Sequence, residues 1–256
     1  MTVALGRVQA LALDDEADRT RKAAEVLARR ILDDAEKEGL QPGDQLIPEA
    51  QMIKLYGAGR ASVREALRIL ETHGVVSIRP GRGGGPVLQS LRGREVASTF
   101  RLFFQQRRAT YGDVLEARME IEPALARLSA QHCERAGREG VLTALKNFLE
   151  LPVHETGEMG VAAHRLYHVV AGVAGNTAMS TISQALRDVY SWRVHSWFDD
   201  ESYWRPTRRG VQVFAEAVVA GDGPSAEAAQ VALNNREAKW ARRTFEAVLE
   251  ETVKWE

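Results

Sequence analysis

Between Pro48 and Leu88 the apolar period of the chain changes twice within forty residues or so. Ala50, Met52, Ile53, Leu55 and Tyr56 keep helical spacing up to a break at Gly57-Ala58-Gly59. Residues 58–71 then repeat Val63, Ala66, Leu67 and Leu70 at three- and four-residue steps, which makes one apolar stripe on a second short helix. Gly74 ends it, Val75-Val76-Ser77-Ile78 reads as a strand, and Arg79-Pro80-Gly81-Arg82-Gly83-Gly84-Gly85 as a turn before Pro86-Val87-Leu88 returns. Two short helices joined by a tight glycine turn and followed by a small hairpin leave few possible architectures.

Beside that apolar stripe, Arg60, Arg64 and Arg68 line up four residues apart. A helix packed on one side and cationic on another suits a groove of DNA, although for an isolated segment a solvated surface helix is the better reading. Its flanks decide between the two readings. Pro48-Glu49 opens the preceding helix, with Pro fitted to a first helical position and Glu to the positive helix end. The glycine break is the joint of a helix-turn-helix, and the arginine- and glycine-tipped ribbon has the form of a wing. An earlier helix, from Thr20 to about Gly39, uses Ala24, Val26, Leu27, Ile31 and Leu32 as its buried face.

With these elements in place, the stretch from about 20 to 90 resembles the GntR family of bacterial transcription regulators. The resemblance is carried by Pro42-Gly43-Asp44-Gln45-Leu46, Gly57, Arg60, Val63-Arg64-Glu65-Ala66-Leu67-Arg68, Leu70, Gly74-Val75-Val76 and Arg79-Pro80-Gly81-Arg82-Gly83. It implies DNA-binding roles for Arg60, Ser62, Arg64, Arg68, Arg79, Arg82, Gly83 and Gly84. Three positions depart from the family pattern. Ile47 stands for Pro, Gly59 for a capping Ser, and Ala50 for an Arg that commonly reaches the DNA backbone.

The formal net charge of −1 would by itself argue against nucleic acid. From Gly57 to Arg82, however, five arginines face only Glu65 and Glu71. Phosphate attraction acts over a Debye length of about 8 Å, so this local excess governs contact more than the total does. At 256 residues, 45% hydrophobic and 27% charged, the chain has the composition of a soluble two-domain protein. The longest apolar run, near Val169–Ala174, is too short to cross a bilayer, and no basic stretch followed by an apolar core opens the chain. The single cysteine, Cys133, cannot form an internal disulfide and lies on a helical apolar pattern. A cytoplasmic location with no membrane association is therefore expected.

After residue 94 the strand and turn signals vanish. Helices are expected at 95–107, 111–133, 135–150, 157–174, 177–199, 206–220 and 224–252, the parts of an antiparallel helical bundle. The expected fold is thus mainly α: an arm at 1–17, a winged helix-turn-helix of three helices and a two-stranded wing at 18–89, a linker at 90–94, and an all-helical domain at 95–256. The helical half resembles the FadR-type C-terminal (FCD) domain. Val114-Leu115-Glu116-Ala117-Arg118 with Ile121-Glu122-Pro123-Ala124-Leu125-Ala126-Arg127-Leu128-Ser129-Ala130 carries the likeness, together with Leu166-Tyr167-His168, Ala174-Gly175-Asn176 and Glu216-Ala217-Val218-Val219-Ala220-Gly221-Asp222.

Many members of that domain hold a divalent cation with an Asp and a His four apart on one helix and two later histidines. Here His168 matches the first His, but His164 stands for the Asp, Val211 for the next His, and Arg236, counted through a two-residue insertion, for the last. A metal is accordingly disfavoured and no cofactor is expected. His164 and His168 could still bind one with His195, or could simply line a cavity. Arg236 places a fixed positive charge where the metal would sit and could pair with a carboxylate effector. Arg118 could be a second anchor, or could be paired with Glu122 four residues on. The effector-binding candidates are Arg118, His164, His168, Asn176, Val211 and Arg236, with Tyr167, Tyr190, Trp192, Trp197, Tyr203 and Trp204 around the cavity. No catalytic residue is assigned. The expected protein is a homodimeric regulator, a repressor more often than an activator in this family, binding an inverted-repeat operator in double-stranded DNA under control of a small carboxylate. A ligand-independent DNA-binding protein, or an enzyme using His164 and His168 as acid and base, are the alternatives.

Overall fold

The structure, a computed structural model, describes residues 22–81, 83–89, 93–194 and 200–255. The expected arm at 1–17, Arg82, the linker residues 90–92, His195 and Trp197 lie outside the described residues. Contacts divide the chain into two compact units, Met1–Glu95 and Val96–Glu256.

In the first unit, helix α1 (22–37) is followed by α2 (Glu49–Tyr56), α3 (Arg60–Thr72), β1 (Val76–Arg79) and β2 (Gly85–Leu88). Helix α1 buries Ala24, Leu27, Ala28, Ile31 and Ala35. Val26, expected inside, is 62% exposed because it lies well round the helix from that stripe. Gly57 closes α2 in the left-handed conformation at φ 61°, which a side chain would resist. Gly59 occupies the N-cap of α3 without a side-chain bond, as its missing hydroxyl requires. Pro48 is the N-cap of α2 and not its first helical residue. Met52 and the α3 stripe Val63, Ala66, Leu67 and Leu70 then meet Leu46 and Val76 in one core.

The wing is an antiparallel pair with Val76 opposite Leu88 and Arg79 opposite Gly85. Residues 43–46 brace its outer strand: the amides of Gly43 and Leu46 donate to the carbonyls of Leu88 and Pro86. Gln45 Nε2 donates to the carbonyl of Gly84 at 2.8 Å. Gly84 itself has no room for a side chain, since a Cβ would collide with the carbonyl oxygen of Arg79.

The second unit is helical: α4 (Gly93–Arg107), α5 (Tyr111–His132), α6 (Arg135–Glu150), α7 (Thr156–Gly172), α8 (Thr177–Val194), α9 (Glu201–Ala220) and α10 (Gly223–Leu249). Helix α5 starts in a capping box between Thr110 and Asp113. Helix α9 begins five residues before its expected start. Pro206 was expected to begin it, but Asp200 caps the helix by accepting from the Ser202 amide, and the proline sits inside the second turn. One apolar cluster joins α5, α6, α7, α9 and α10, and a second joins α4, α5, α8, α10 and Val253.

A buried ionic network crosses the middle of this unit. Arg118 on α5, 2% exposed, donates through Nε to Glu122 at 2.8 Å and through Nη1 and Nη2 to Glu237 on α10 at 2.8 and 3.1 Å. Arg187 on α8 reaches Glu122 at 2.7 Å, and Gln230 on α10 donates to the other Glu122 oxygen at 3.1 Å. Burial opposes the Arg118 charge, but the two carboxylates outweigh it and hold its pKa well above the usual value. Burial likewise tends to raise Glu122, and the two arginines more than offset it. Two cations and two anions thus neutralise one another where no water can.

Glu237→Ala is expected to destabilise the helical unit by about 3–5 kcal/mol, since it strands a buried guanidinium, whereas Arg236→Ala, one residue earlier and exposed, should shift it by less than about 0.5 kcal/mol. Urea unfolding followed by far-ultraviolet circular dichroism measures both. Gly84→Ala should loosen the wing, seen as faster amide exchange in β1 and β2, with the stability of the helical unit unchanged.

Candidate functional site

Two sites can be built from these elements, one on each unit. On the first, α3 turns its apolar stripe into the core and leaves Arg60, Arg64 and Arg68 exposed, with Ser62 half-buried in the first turn. Arg68 is held by Glu65, Nε and Nη2 each meeting one carboxylate oxygen at 2.9 and 2.8 Å. That ion pair lies in solvent, so it preorganises the guanidinium without adding much stability. Arg79 is exposed at the end of β1, with Gly83 and Gly84 in the turn beyond it. The three helix arginines and Arg79 therefore form an accessible cationic surface carried by rigid elements.

On the second unit, α5, α7, α8, α9 and α10 enclose a cavity of about 310 Å³. Its aromatic wall is Tyr167, Tyr190, Tyr203 and Trp204, and Val211 and Leu233 complete an apolar side. Burial pushes the Tyr167 phenol up to about 12 and raises Tyr190 and Tyr203 as well, so all three stay neutral. Arg118 stands over the Tyr190 ring at 4.7 Å and Arg187 over the Tyr167 ring at 3.7 Å. Both guanidinium groups are spent on Glu122 and Glu237, so of the two readings of Arg118 the internal ion pair is the one realised. Arg165, also lining the cavity, is exposed and has no ion pair among the described residues.

Beside the cavity, His164 and His168 share one face of α7, with ring centroids 4.4 Å apart. Asp188 on α8 faces both: its Oδ1 lies 3.0 Å from His164 Nε2 and 3.4 Å from His168 Nε2. Burial would raise the Asp188 carboxyl, but the two imidazoles more than offset it and hold it well below the carboxylate range. Burial also lowers His164, which favours its neutral form.

Of the six expected effector residues, Arg118, His164 and Val211 line the cavity, and His168 borders a smaller pocket that shares Tyr167 and Arg187 with it. Two lie elsewhere. Asn176 is an exposed cap of α8, its Oδ1 accepting from the Met179 amide at 3.0 Å. Arg236 projects outward into a groove with Lys239 and Arg243. Helix α10 turns Gln230, Leu233, Asn234 and Glu237 inward and leaves Arg236 on its exposed side. Trp192 is 58% exposed and does not line the cavity.

At the family's metal positions, Val211 cannot ligate and Arg236 points away, so the four-ligand set does not fit this chain. The third donor expected from the sequence was His195, which lies outside the described residues; it is Asp188 on α8 that faces the two histidines. No local pattern flagged Asp188, Arg187 or Glu237: each is one charged residue on an amphipathic helix, and only helix packing turns it inward.

Residues 23–84 match the family described as bacterial regulatory proteins of the gntR family, and residues 113–246 match the FCD domain. The chain is 25% identical over 201 residues to the HTH-type transcriptional regulator LutR of Bacillus subtilis, covering 75% of this chain and 89% of LutR. It is 24% identical over 221 residues to the uncharacterised HTH-type transcriptional regulator Rv0494 of Mycobacterium tuberculosis, covering 84% of this chain and 86% of that protein. The solved structure of Streptococcus agalactiae GntR superposes with a TM-score of 0.68 at 17% identity, over 84% of this chain and 99% of that one, a likeness of fold. These families and relatives are transcriptional regulators and not enzymes. Among the described residues no helix is long and apolar enough to cross a membrane. With an FCD domain behind a gntR-type helix-turn-helix, the chain belongs to the FCD-containing GntR family of DNA-binding transcriptional regulators.

Proposed function

We infer that the protein is a FadR-type repressor of the cytoplasm that binds an inverted-repeat operator as a homodimer and is released or retained by a small molecule in the helical unit. The observation that carries the DNA-binding half is the α3 surface, where a buried stripe fixes the helix and leaves Arg60, Arg64 and Arg68 outside. Arg60 and Arg64, in the first half of α3, are the base-reading candidates. The helix N-terminus, uncapped by any side chain, offers free amides to a phosphate, with Ser62 beside them. Arg68 holds the backbone, exchanging Glu65 for phosphate. Arg79, Arg82 and the Gly83-Gly84 turn reach the minor groove. Two copies double these contacts and read two half-sites.

The effector half rests on the cavity, whose volume lies at the lower end of the range typical of small-molecule sites. An aromatic and aliphatic wall suits a compact ligand with an apolar body. The expected carboxylate now depends on Arg165, because Arg118 is neutralised within the protein and Arg236 faces elsewhere. Control of DNA binding requires that the ligand favour one arrangement of the dimer over another by a difference in affinity.

Arg64→Ala should weaken binding to a DNA site selected by the wild-type protein by about 10- to 100-fold, the equivalent of one bidentate guanine contact, with the protein still folded and dimeric by light scattering. Unchanged affinity in fluorescence anisotropy would remove α3 as the reading element. A panel of short carboxylic acids should contain compounds that raise the melting temperature of the wild type and fail to do so in Arg165→Ala. A panel with no effect on the wild type would count against the carboxylate and leave DNA binding untouched.

A further inference from the structure

We propose that the groove between α9 and α10 carrying Arg236, Lys239 and Arg243 is a second ligand site, which takes a small phosphorylated anion and is separate from the cavity. The groove holds about 520 Å³. Ser202 and Pro206 of α9 line one side, and Ala232, Asn235 and the three cations of α10 line the other. Tyr203 and Trp240 form its floor, with ring centroids 4.7 Å apart and each ring residue only 7% exposed.

The helix sets the cations in one row. Positions 236, 239 and 243 fall within about 60° of one another round the axis and span about 10.5 Å along it. The non-helical residue of α10, Phe245, lies beyond the row and leaves it regular. All three cations are exposed, and none has an ion pair among the described residues. Elsewhere on the surface Arg68 pairs with Glu65, Arg127 with Glu227 and Arg205 with Glu201. In this row the neighbours three and four residues from Arg236 are Ala232, Leu233, Lys239 and Trp240, and those of Lys239 are Asn235, Arg236, Arg242 and Arg243. No acid is among them. Glu237, the acid inside the row, faces inward and is engaged by Arg118. Like charges at these spacings destabilise a helix by about 0.2–0.5 kcal/mol per pair. A bound anion reverses that cost.

The balance of charge and shape selects the anion. Asp200, the N-cap of α9, accepts from the Ser202 amide at 2.8 Å and acts on Arg243 electrostatically without an ion pair between them. Three cations less this one carboxylate leave two positive charges, which match a phosphomonoester of charge about −2. Arg236 and Arg243 can each grip two phosphate oxygens, Lys239 adds a point charge, and the Asn235 amide adds neutral donors. A protein partner would need an accessible aromatic or aliphatic anchor. The two rings here are covered, so the groove offers charge and concavity instead.

The test titrates the full chain with inorganic pyrophosphate in a calorimeter at low ionic strength. One anion should bind per chain, more weakly as salt is raised. Arg236→Gln and Lys239→Gln should each weaken binding at least about tenfold, the loss of one charge-assisted contact. Asp200→Asn, which keeps the helix cap, should tighten it. Arg165→Ala in the cavity and Arg64→Ala on α3 should leave it unchanged. Parallel titrations with ADP and with glucose 6-phosphate separate a nucleotide from a sugar phosphate, and binding of either that Arg236→Gln weakens supports the site. Circular dichroism checks folding, and Arg243→Gln replaces any variant that fails. No binding of pyrophosphate, or binding lost in Arg64→Ala and kept in Arg236→Gln, would overturn the proposal. So would a random DNA duplex whose binding Arg236→Gln weakens while pyrophosphate does not bind, since the row would then serve nucleic acid.

Discussion

The buried pairing of Arg118 with Glu122 and Glu237 is the constraint around which the helical unit is arranged. It joins α5 to α10, and through Arg187 it brings in α8. Burying four charges gains little net stability over a hydrophobic core, because each ion gives up several kcal/mol of hydration. What such a network does supply is register. A guanidinium with all three nitrogens engaged tolerates little sliding of one helix past another, so the cavity wall above it is held in place. The same pairing consumes the two cations that would otherwise attract an acid, and so shapes what the cavity can hold.

The two units divide their work in physical terms. The first is small, with one core formed by the inner faces of three helices and a braced two-stranded wing, and its outer surface carries the charge that the neutral total conceals. The second holds one buried ionic network and lines its cavity with aromatic rings. Phosphate recognition needs exposed, screened and exchangeable cations, as the solvated Arg68–Glu65 pair illustrates. Small-molecule recognition needs a dry wall with few, fixed polar groups. A single chain meets both demands by segregating them, which is why whole-chain composition was a poor guide to either.

Local pattern determined much of this protein. The helix-turn-helix, the wing, the exposed Arg60, Arg64 and Arg68, and nearly every helix boundary after residue 93 follow from apolar period, glycine breaks and caps, which act over a few residues and are therefore legible in order along the chain. The start of α9 was misread for a local reason too, since a proline inside a helix resembles one at its beginning and the Asp200 cap lay outside the expected span. What only tertiary structure decided is which charged residue faces which. Arg118 turned out to be paired, Arg236 to point away, Asn176 to be a helix cap, and Asp188 to stand opposite two histidines. A helix sequence gives the angular position of a side chain about its own axis, but not the rotation and offset of the neighbouring helix, and it is those two parameters that set the distances on which ion pairs and coordination depend.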